Sequence, residues 1–557
     1  MRLQLRNLLL TAGAVMLAAC SQDLAVLNPN NADITRALAR PSDIEALLRG
    51  GFNGTHEISV GGGNENLNNS YQVMAFENYT GLANFNMGPR AGLPRTPILN
   101  FQNNPGSLSV QRDYNGFSRN TRTVTLALER LATVPLGTPA QDLRAQAYGK
   151  FVLGVALGYL SMSYDSAAIV IPGADPVPPL VAYDSVHRTA LRMFDLALVD
   201  ATNPIANQTG GFPLPATWLN LTTGDVTQGD FVRIIRSYRA RIRASVARNP
   251  AERAAVNWPL VIADVQAGIT ADLSITMNSA TGWNQAWVVN HFNSTNWHVM
   301  TPFIIGMADS TGASYETWLN QPLLNRTAFL IRTRDRRFPA GDTRAAQNTA
   351  SNGGTTNSVP LPGVYFRNRL IADDGAAADG TWGFSFYDYA RFMAFQLASR
   401  IGPYPHMTLA EMNALGAEGA IRTGDFALAA TLIDRTRVLR GVLPALTGAG
   451  INNLTTPVPG GNSCVPRVPV RSAAGVYTTA CGNIFEALKW EKRIETAFIN
   501  YGAWYFDSRG WGDLAEGTPI HFPVPWQERL PRQTPPTNVG GVGQPGGAAR
   551  GASYGFP

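Results

Sequence analysis

Gly424-Asp425-Phe426-Ala427-Leu428-Ala429 is the stretch on which the reading of this chain turns. Gly424 allows a tight turn, after which an aromatic residue and an alanine can pack inward on a new helix. Apolar residues recur every three or four positions on both sides, which predicts helices over about 408–422 and 426–440. Further out, the same period predicts helices near 119–132, 141–163, 183–200 and 229–247, one from Trp258-Pro259 to Gly268, and two more over 385–401 and 483–500. In the second of these, Leu143, Ala147, Phe151, Val155 and Tyr159 mark an apolar face. Gly154 and Gly158 there leave room for a neighbouring backbone to approach closely. Upstream, Ser42-Asp43-Ile44-Glu45 predicts a short helix that ends at Gly50-Gly51, with Ser42 as N-cap and Glu45 at the capping-box position.

Paired helices imply a repeat architecture, and the stretch around Gly424 resembles the turn and second helix of a tetratricopeptide unit. Only this unit reads clearly. The others are degenerate and separated by segments rich in Asn, Gly, Pro and Trp, over about 52–118, 275–380 and 441–482. The predicted fold class is therefore mostly α: a tetratricopeptide-like helical repeat scaffold with long, loop-rich insertions. One domain is expected over 41–557, with repeats at about 119–270 and 385–440 and a distinct C-terminal segment at 483–530.

Residues 1–19 read as a secretory signal peptide, with Arg2 and Arg6 as the basic head and an apolar run from Leu8 to Leu17. That run is too short to span a membrane, which takes about 20 apolar residues. Leu17-Ala18-Ala19-Cys20 resembles the lipobox of bacterial lipoproteins, which implies lipid on Cys20; residues 20–40 follow as a polar, Asn-rich tether. The whole chain, 45% hydrophobic and 15% charged, has the composition of a globular protein with a sizeable core. The formal charge of +6 is mild and scattered, which argues against a nucleic-acid partner. Cys464 and Cys481, 17 positions apart in a Gly/Pro-rich segment of an exported chain, most simply form a disulfide; the alternative is two free thiols.

Two groups of residues carry candidate chemistry. Glu491, Arg493, Glu495, Asp507 and Arg509 bring both signs of charge together, which reads either as a structural ion network or as a catalytic carboxylate pair of the glycosidase kind. Trp283, Trp287, Trp297 and Trp318 lie among Asn284, Gln285, Asn290, Asn293 and Asn296. Indole faces can stack on sugar rings while amides bind hydroxyls, so these residues are candidate ligand contacts, as are Asn78 and Tyr79 in a second aromatic and amide cluster. The competing reading is that such aromatics are core. His291 and His298 lack the His-Glu-x-x-His frame of a zinc enzyme. No metal or other cofactor is expected, and no phosphate-cradling glycine loop is present.

Taken in order, the chain resembles the SusD/RagB family of outer-membrane nutrient-binding lipoproteins. The resemblance rests on Cys20 in its lipobox, Asn28-Pro29, the helix ending in Ser163-Tyr164-Asp165, the Thr408–Leu443 repeat pair, Glu491-Lys492-Arg493-Ile494-Glu495, Tyr505 through Gly512, and Phe522-Pro523-Val524-Pro525 with Glu528. Phe506 and Ser508 depart from the family pattern. The resemblance implies a non-catalytic protein, lipid-anchored at the outer membrane and exposed at the cell surface. It would capture an oligosaccharide, or alternatively a peptide, and pass it to a SusC-like TonB-dependent transporter. A surface glycoside hydrolase and a ligand-free scaffold are the rival readings.

Overall fold

The computed structural model describes residues 38–61, 66–80, 86–104, 106, 108–285, 299–355, 357–370, 381–551 and 554. The signal segment, Cys20 and the tether up to residue 37 lie outside the described residues.

Helices dominate. The longer ones are α1 (Pro41–His56), α2 (Leu67–Met74), α3 (Leu108–Leu131), α4 (Pro139–Ser163), α5 (Tyr183–Thr202), α6 (Gln228–Ser245) and α7 (Trp258–Gln266). After the insertions come α8 (Ala313–Asn320), α9 (Arg344–Ser351), α10 (Leu409–Thr423), α11 (Phe426–Arg437), α12 (Ile484–Thr496) and α13 (Ala503–Trp511). Each long helix packs on the next: α1 on α3, α3 on α4, α4 on α5, α5 on α6, α6 on α7, α7 on α10, and α10 on both α11 and α12. This stepwise order is the solenoid logic of helical repeats.

Local chemistry explains the best-predicted elements. Thr138 and Gln141 cap α4 reciprocally, with Pro139 in its first turn. Both glycines of α4 are needed for packing, although the neighbours are side chains rather than backbone. A Cβ at Gly154 would come within 2.9 Å of the Phe194 ring, and one at Gly158 would collide with Ile242. Thr227 caps α6, and Asn257 caps α7. At the turn between α10 and α11, Gly424 has φ of 85° and Asp425 accepts the Leu428 N–H at 2.9 Å.

Among the described residues are four sheets of two strands: β1 (Ser166–Ala168) with β2 (Leu180–Ala182), β3 (Leu273–Met277) with β6 (Gly402–Met407), β4 (Phe366–Asn368) with β5 (Tyr387–Tyr389), and β7 (Arg467–Arg471) with β8 (Tyr477–Cys481). The antiparallel β3–β6 pair bridges the whole 275–380 insertion and so sets α10 beside α7. In the last hairpin Arg467 pairs with Cys481, and a disulfide joins Cys481 to Cys464.

Several expectations are corrected. Ser42 is not the N-cap of α1: Arg40 holds that place without a side-chain bond, and Pro41 starts the helix. The helix does not stop at Gly50-Gly51 but runs to His56, because a missing Cβ at Gly51 lets α1 close on Val124 and Val152. The 52–118 insertion is less irregular than expected, holding α2, a short helix Met87–Ala91 and the first turns of α3. The helix expected over 385–401 is instead β5 followed by one turn, Met393–Leu397. Pairing with β4 overrides the local period, and Ser399 and Arg400 both take positive φ. The helix expected to reach residue 500 stops at Thr496, near Phe498 with φ of 58°, and α13 begins anew.

Candidate functional site

The charged residues near the C-terminus form a buried lattice between α12, α13 and the scaffold. Arg337 reaches Glu491 with both terminal nitrogens, at 2.8 and 2.9 Å, and Glu495 at 3.1 Å, while Asp335 holds it from the other side at 2.7 Å. Glu495 also meets Arg391 at 3.3 Å, together with Arg440 and the Tyr365 hydroxyl. Burial opposes the charge of Glu495, but Arg391, Arg337 and Arg440 outweigh it and hold the carboxyl below its ordinary range. Arg253 joins Glu418 on α10 to Asp507 on α13 at 2.7 and 3.0 Å. Burial opposes the ionisation of Glu418 too, yet Arg253 prevails and holds it down at about 2. Arg509 spends its donors on carbonyls, among them those of Ser245, Ala247, Met162 and Ile520. The carboxylates are all buried, as are Arg253, Arg337 and Arg509, so Glu491 and Glu495 do not face each other across an open groove as a glycosidase pair must. The arrangement pins α12 and α13 to the repeats.

The arginines of α6 are partly interior. Arg241 is buried and forks onto Glu411 at 2.6 and 2.7 Å, and Arg239 and Arg243 converge on Asp264.

Trp283, Trp318, Tyr79 and Asn78 belong to the interior. Trp318 on α8 is 2% exposed and packs on Phe303, with the Arg326 guanidinium 4.5 Å from its ring centre. Trp283 is 7% exposed and contacts Phe52 and His56, and its carbonyl accepts the Asn278 N–H at 2.7 Å. Tyr79 is 3% exposed, between Trp382 and Phe384, and its N–H donates to the Val299 carbonyl at 2.8 Å. The Asn78 amide oxygen accepts the Val299 N–H at 3.1 Å. Indole and phenol faces spent on core neighbours cannot also serve as sugar platforms, so the expectation that these four line a groove is corrected. Trp287 and Trp297 lie outside the described residues.

A different part of the 52–118 insertion builds a concave site. A cavity of about 250 Å³ opens between the Met87–Ala91 helix, the stretch 95–99 with Asn104 and Gly106, and Pro519 from the C-terminal region. Asn86 and Asn104 supply amides, Ile98 and Leu99 apolar wall, and Arg90 and Arg95 positive charge. The segment is fixed by the Ile98 N–H, which donates to the Val539 carbonyl at 2.8 Å, and by the Asn100 amide, which donates to the Val524 carbonyl at 2.9 Å. Arg95 is held at the back: it donates to Thr518 Oγ1 at 3.1 Å and to the Met74 carbonyl at 3.0 Å, stacks over Phe76, and also reaches the Arg90 carbonyl. Arg90 donates to the hydroxyls of Ser70 and Ser109, the latter at 2.9 Å, and lies 5.1 Å from the centre of the Phe522 ring. Burial drives both guanidiniums down, Arg90 to about 10 and Arg95 to about 9. Of the wall, Leu99 is 42% exposed; Phe101, two residues further along the chain, is 45% exposed.

Sequence reasoning passed over Arg90, Arg95, Asn86 and Asn104. The available signal was charge pattern: the chain carries no Asp or Glu between Glu77 and Asp113, yet it places Arg90 and Arg95 there among prolines. Among the described residues no cluster of three or more His, Cys, Asp or Glu could hold a metal ion, and no helix is long and apolar enough to cross a membrane.

No protein-family model matches this chain, and no curated protein matches its sequence. Solved structures do match its fold. A SusD-like protein from Bacteroides fragilis superposes with a TM-score of 0.52 at 12% identity, over 92% of this chain and 99% of its own. A SusD homolog from Parabacteroides distasonis gives 0.51 at 12% identity, over 84% of each chain. A SusD superfamily protein from Bacteroides thetaiotaomicron gives 0.50 at 13% identity, over 89% of this chain and 98% of its own. The chain has the SusD-like fold.

Proposed function

We propose that this chain is a glycan-binding protein without catalytic activity, anchored at the outer membrane through lipid on Cys20, that hands its ligand to a SusC-like TonB-dependent transporter. The anchor and the transporter rest on the sequence resemblance; the SusD-like fold is in keeping with both. The observation that carries the binding role is the cavity in the 52–118 insertion, where the Asn86 amide and the Arg90 guanidinium stand beside the apolar wall of Ile98 and Leu99. Polar groups few in number and set in apolar surface are the usual make-up of a small-ligand site. At about 250 Å³ the cavity is below the roughly 300–1,000 Å³ of sites that enclose a drug-sized molecule. It suits one residue of an oligosaccharide, with the rest of the ligand lying across the rim. Phe101, exposed and two residues along the chain from Leu99 of the wall, is the ring we assign as platform, and Trp287 and Trp297 remain, on sequence grounds, further ligand aromatics.

A glycan array with the purified full-length chain and its Phe101→Ala, Trp287→Ala and Trp297→Ala variants tests this reading. Binding by the parent chain and its loss in Phe101→Ala are expected. Binding that none of the three variants weakens refutes the placement, silence across the array refutes the glycan role, and sustained release of shortened products refutes the non-catalytic one. Detergent pull-down from the native host checks the partner, and radiolabelled palmitate on wild type against Cys20→Ala checks the anchor.

A further inference from the structure

Arg90 and Arg95 differ from most of the deeply placed arginines in this protein. Arg241, Arg253, Arg337 and Arg493 each hold a carboxylate at 3.0 Å or less. Arg437 and Arg509, bonded to carbonyls, still have Glu491, Asp335 or Glu252 within electrostatic reach. Neither Arg90 nor Arg95 forms an ion pair among the described residues, and the other ionisable groups that act on them are tyrosines: Tyr71, Tyr164 and Tyr505 on Arg90, Tyr79 on Arg95. The main chain ties the two together, since Arg95 donates to the Arg90 carbonyl. Both side chains border the same cavity.

Arg95 is buried and Arg90 half-buried, and guanidiniums drawn even partly out of water without a counter-ion are costly to the folded state. Their demands are met unequally. Arg95 is committed to Thr518 and to the carbonyls of Met74, Arg90 and Gly92. Arg90 has five N–H groups, and its protein partners are two hydroxyls. It therefore retains planar donor capacity, backed by the charge of Arg95. A carboxylate is the anion whose geometry best matches a guanidinium fork. The apolar wall of Ile98 and Leu99 and the amide of Asn86 suit the ring that would carry it.

We infer that the cavity selects an acidic sugar, a uronic acid residue whose carboxylate sits on Arg90, so that the protein's ligand is an anionic rather than a neutral glycan. This inference rests on the glycan-binding reading above and narrows it. Arg90 is then the residue that reads the charge, and Arg95 is a positioning residue that holds the Arg90 main chain and adds to the field.

The test is calorimetric titration of the full-length chain with a galacturonic acid trimer, with the galactose trimer of the same linkage, and with sodium sulfate. The acidic trimer is expected to bind about tenfold or more tightly than the neutral one, the scale of one hydrogen bond to a charged group. That preference should shrink between 20 and about 500 mM salt as the charges are screened. Arg90→Gln should bring the affinity for the acidic trimer down to that for the neutral one, with Arg90→Lys in between because it keeps the charge without the fork. The comparison of trimers on the wild-type chain stands even where a variant does not fold. Equal affinity for the two trimers, or preference for the neutral one, overturns the acidic assignment and leaves the glycan role standing. Binding of neither trimer together with binding of other neutral glycans on the array does the same. Sulfate displacing the acidic trimer at equal concentration overturns the sugar part, leaving an oxyanion site. No binding to any glycan overturns both readings.

Discussion

Arg337 and Glu491 meet in a two-pronged contact, Nη1 to Oε2 at 2.8 Å and Nη2 to Oε1 at 2.9 Å, with both side chains out of reach of water. The pair joins the 275–380 insertion to α12, and Asp335 and Glu495 lean on the same guanidinium. Replacing Arg337 by methionine would leave three buried carboxylates facing one another without their shared cation. Loss of one partner from a buried ion pair costs about 3–5 kcal/mol. Urea unfolding of Arg337→Met should show a drop of that order, and a drop under about 1 kcal/mol would mean that the lattice is not what pins α12.

Gly158 gives a packing test. An alanine there places its methyl group against the Ile242 side chain of α6. Overpacking of this kind costs about 1–3 kcal/mol. Gly158→Ala should lose that much in chemical denaturation, and combining it with Ile242→Val should recover part of the loss, because the two sites are coupled through one contact. Strict additivity of the two substitutions would show that they do not share it.

The Cys464–Cys481 disulfide closes a loop with a sequence separation of 17. A loop of about that size predicts roughly 3 kcal/mol of stabilisation, chiefly from restricting the unfolded chain. Cys464→Ser with Cys481→Ser should lower the unfolding midpoint by a matching amount, and reductant should lower the wild-type midpoint equally while leaving the double variant unmoved. A reductant effect on the double variant would break the attribution.

Glu77 sets a pH dependence. Its carboxylate oxygen accepts the Phe498 N–H at 2.6 Å, and burial pushes its pKa up to about 8 from the ordinary carboxylate value. The unfolded chain ionises this group near pH 4.5. Its favourable share of stability is therefore full below that pH and is lost as pH rises towards 8, at up to about 1.4 kcal/mol per pH unit. Glu77→Gln keeps an acceptor and removes the titration. Its unfolding free energy, measured from pH 4 to 9, should gain on the wild type as pH rises and run parallel to it below pH 4.5. Parallel curves throughout would show that Glu77 is not buried as a neutral acid.

His56 works in the opposite direction. Burial lowers its pKa to about 4, against a weaker upward pull from the Asn284 carbonyl it bonds. The unfolded chain takes up a proton near 6.5 while the folded one does not, so stability falls as pH drops from about 6.5 to 4 and levels off below. His56→Gln should blunt that acid-side decline in the same unfolding series. An unchanged slope between those values would assign the decline to other groups.

How much of this was legible in advance varies with the range of the interactions. The helices at 141–163, 183–200 and 229–247 agree with α4, α5 and α6 to within a few residues, because period, caps and glycines are local signals. The 385–401 segment failed because its pairing partner, Phe366–Asn368, lies outside any local window. The choice between an ion network and a catalytic pair at Glu491 and Glu495 was open in the sequence. It closed once Arg337, Arg391 and Arg440, brought in from distant segments, were seen around them. The tryptophans show the same limit: nothing near Trp283 in sequence announces that its ring meets Phe52 and His56 of α1.

By itself, then, the order of residues determined the helical scaffold, the places where long insertions interrupt it, and the two cysteines available to bond beside the last helices. Those follow from spacing along the chain, which backbone geometry converts directly into faces and turns. Only the tertiary structure decided which aromatics are spent on the interior and which arginines keep a carboxylate. Burial and charge pairing are settled by groups that folding brings together from far apart, and for Arg90 and Arg95 it brings no acid at all among the described residues.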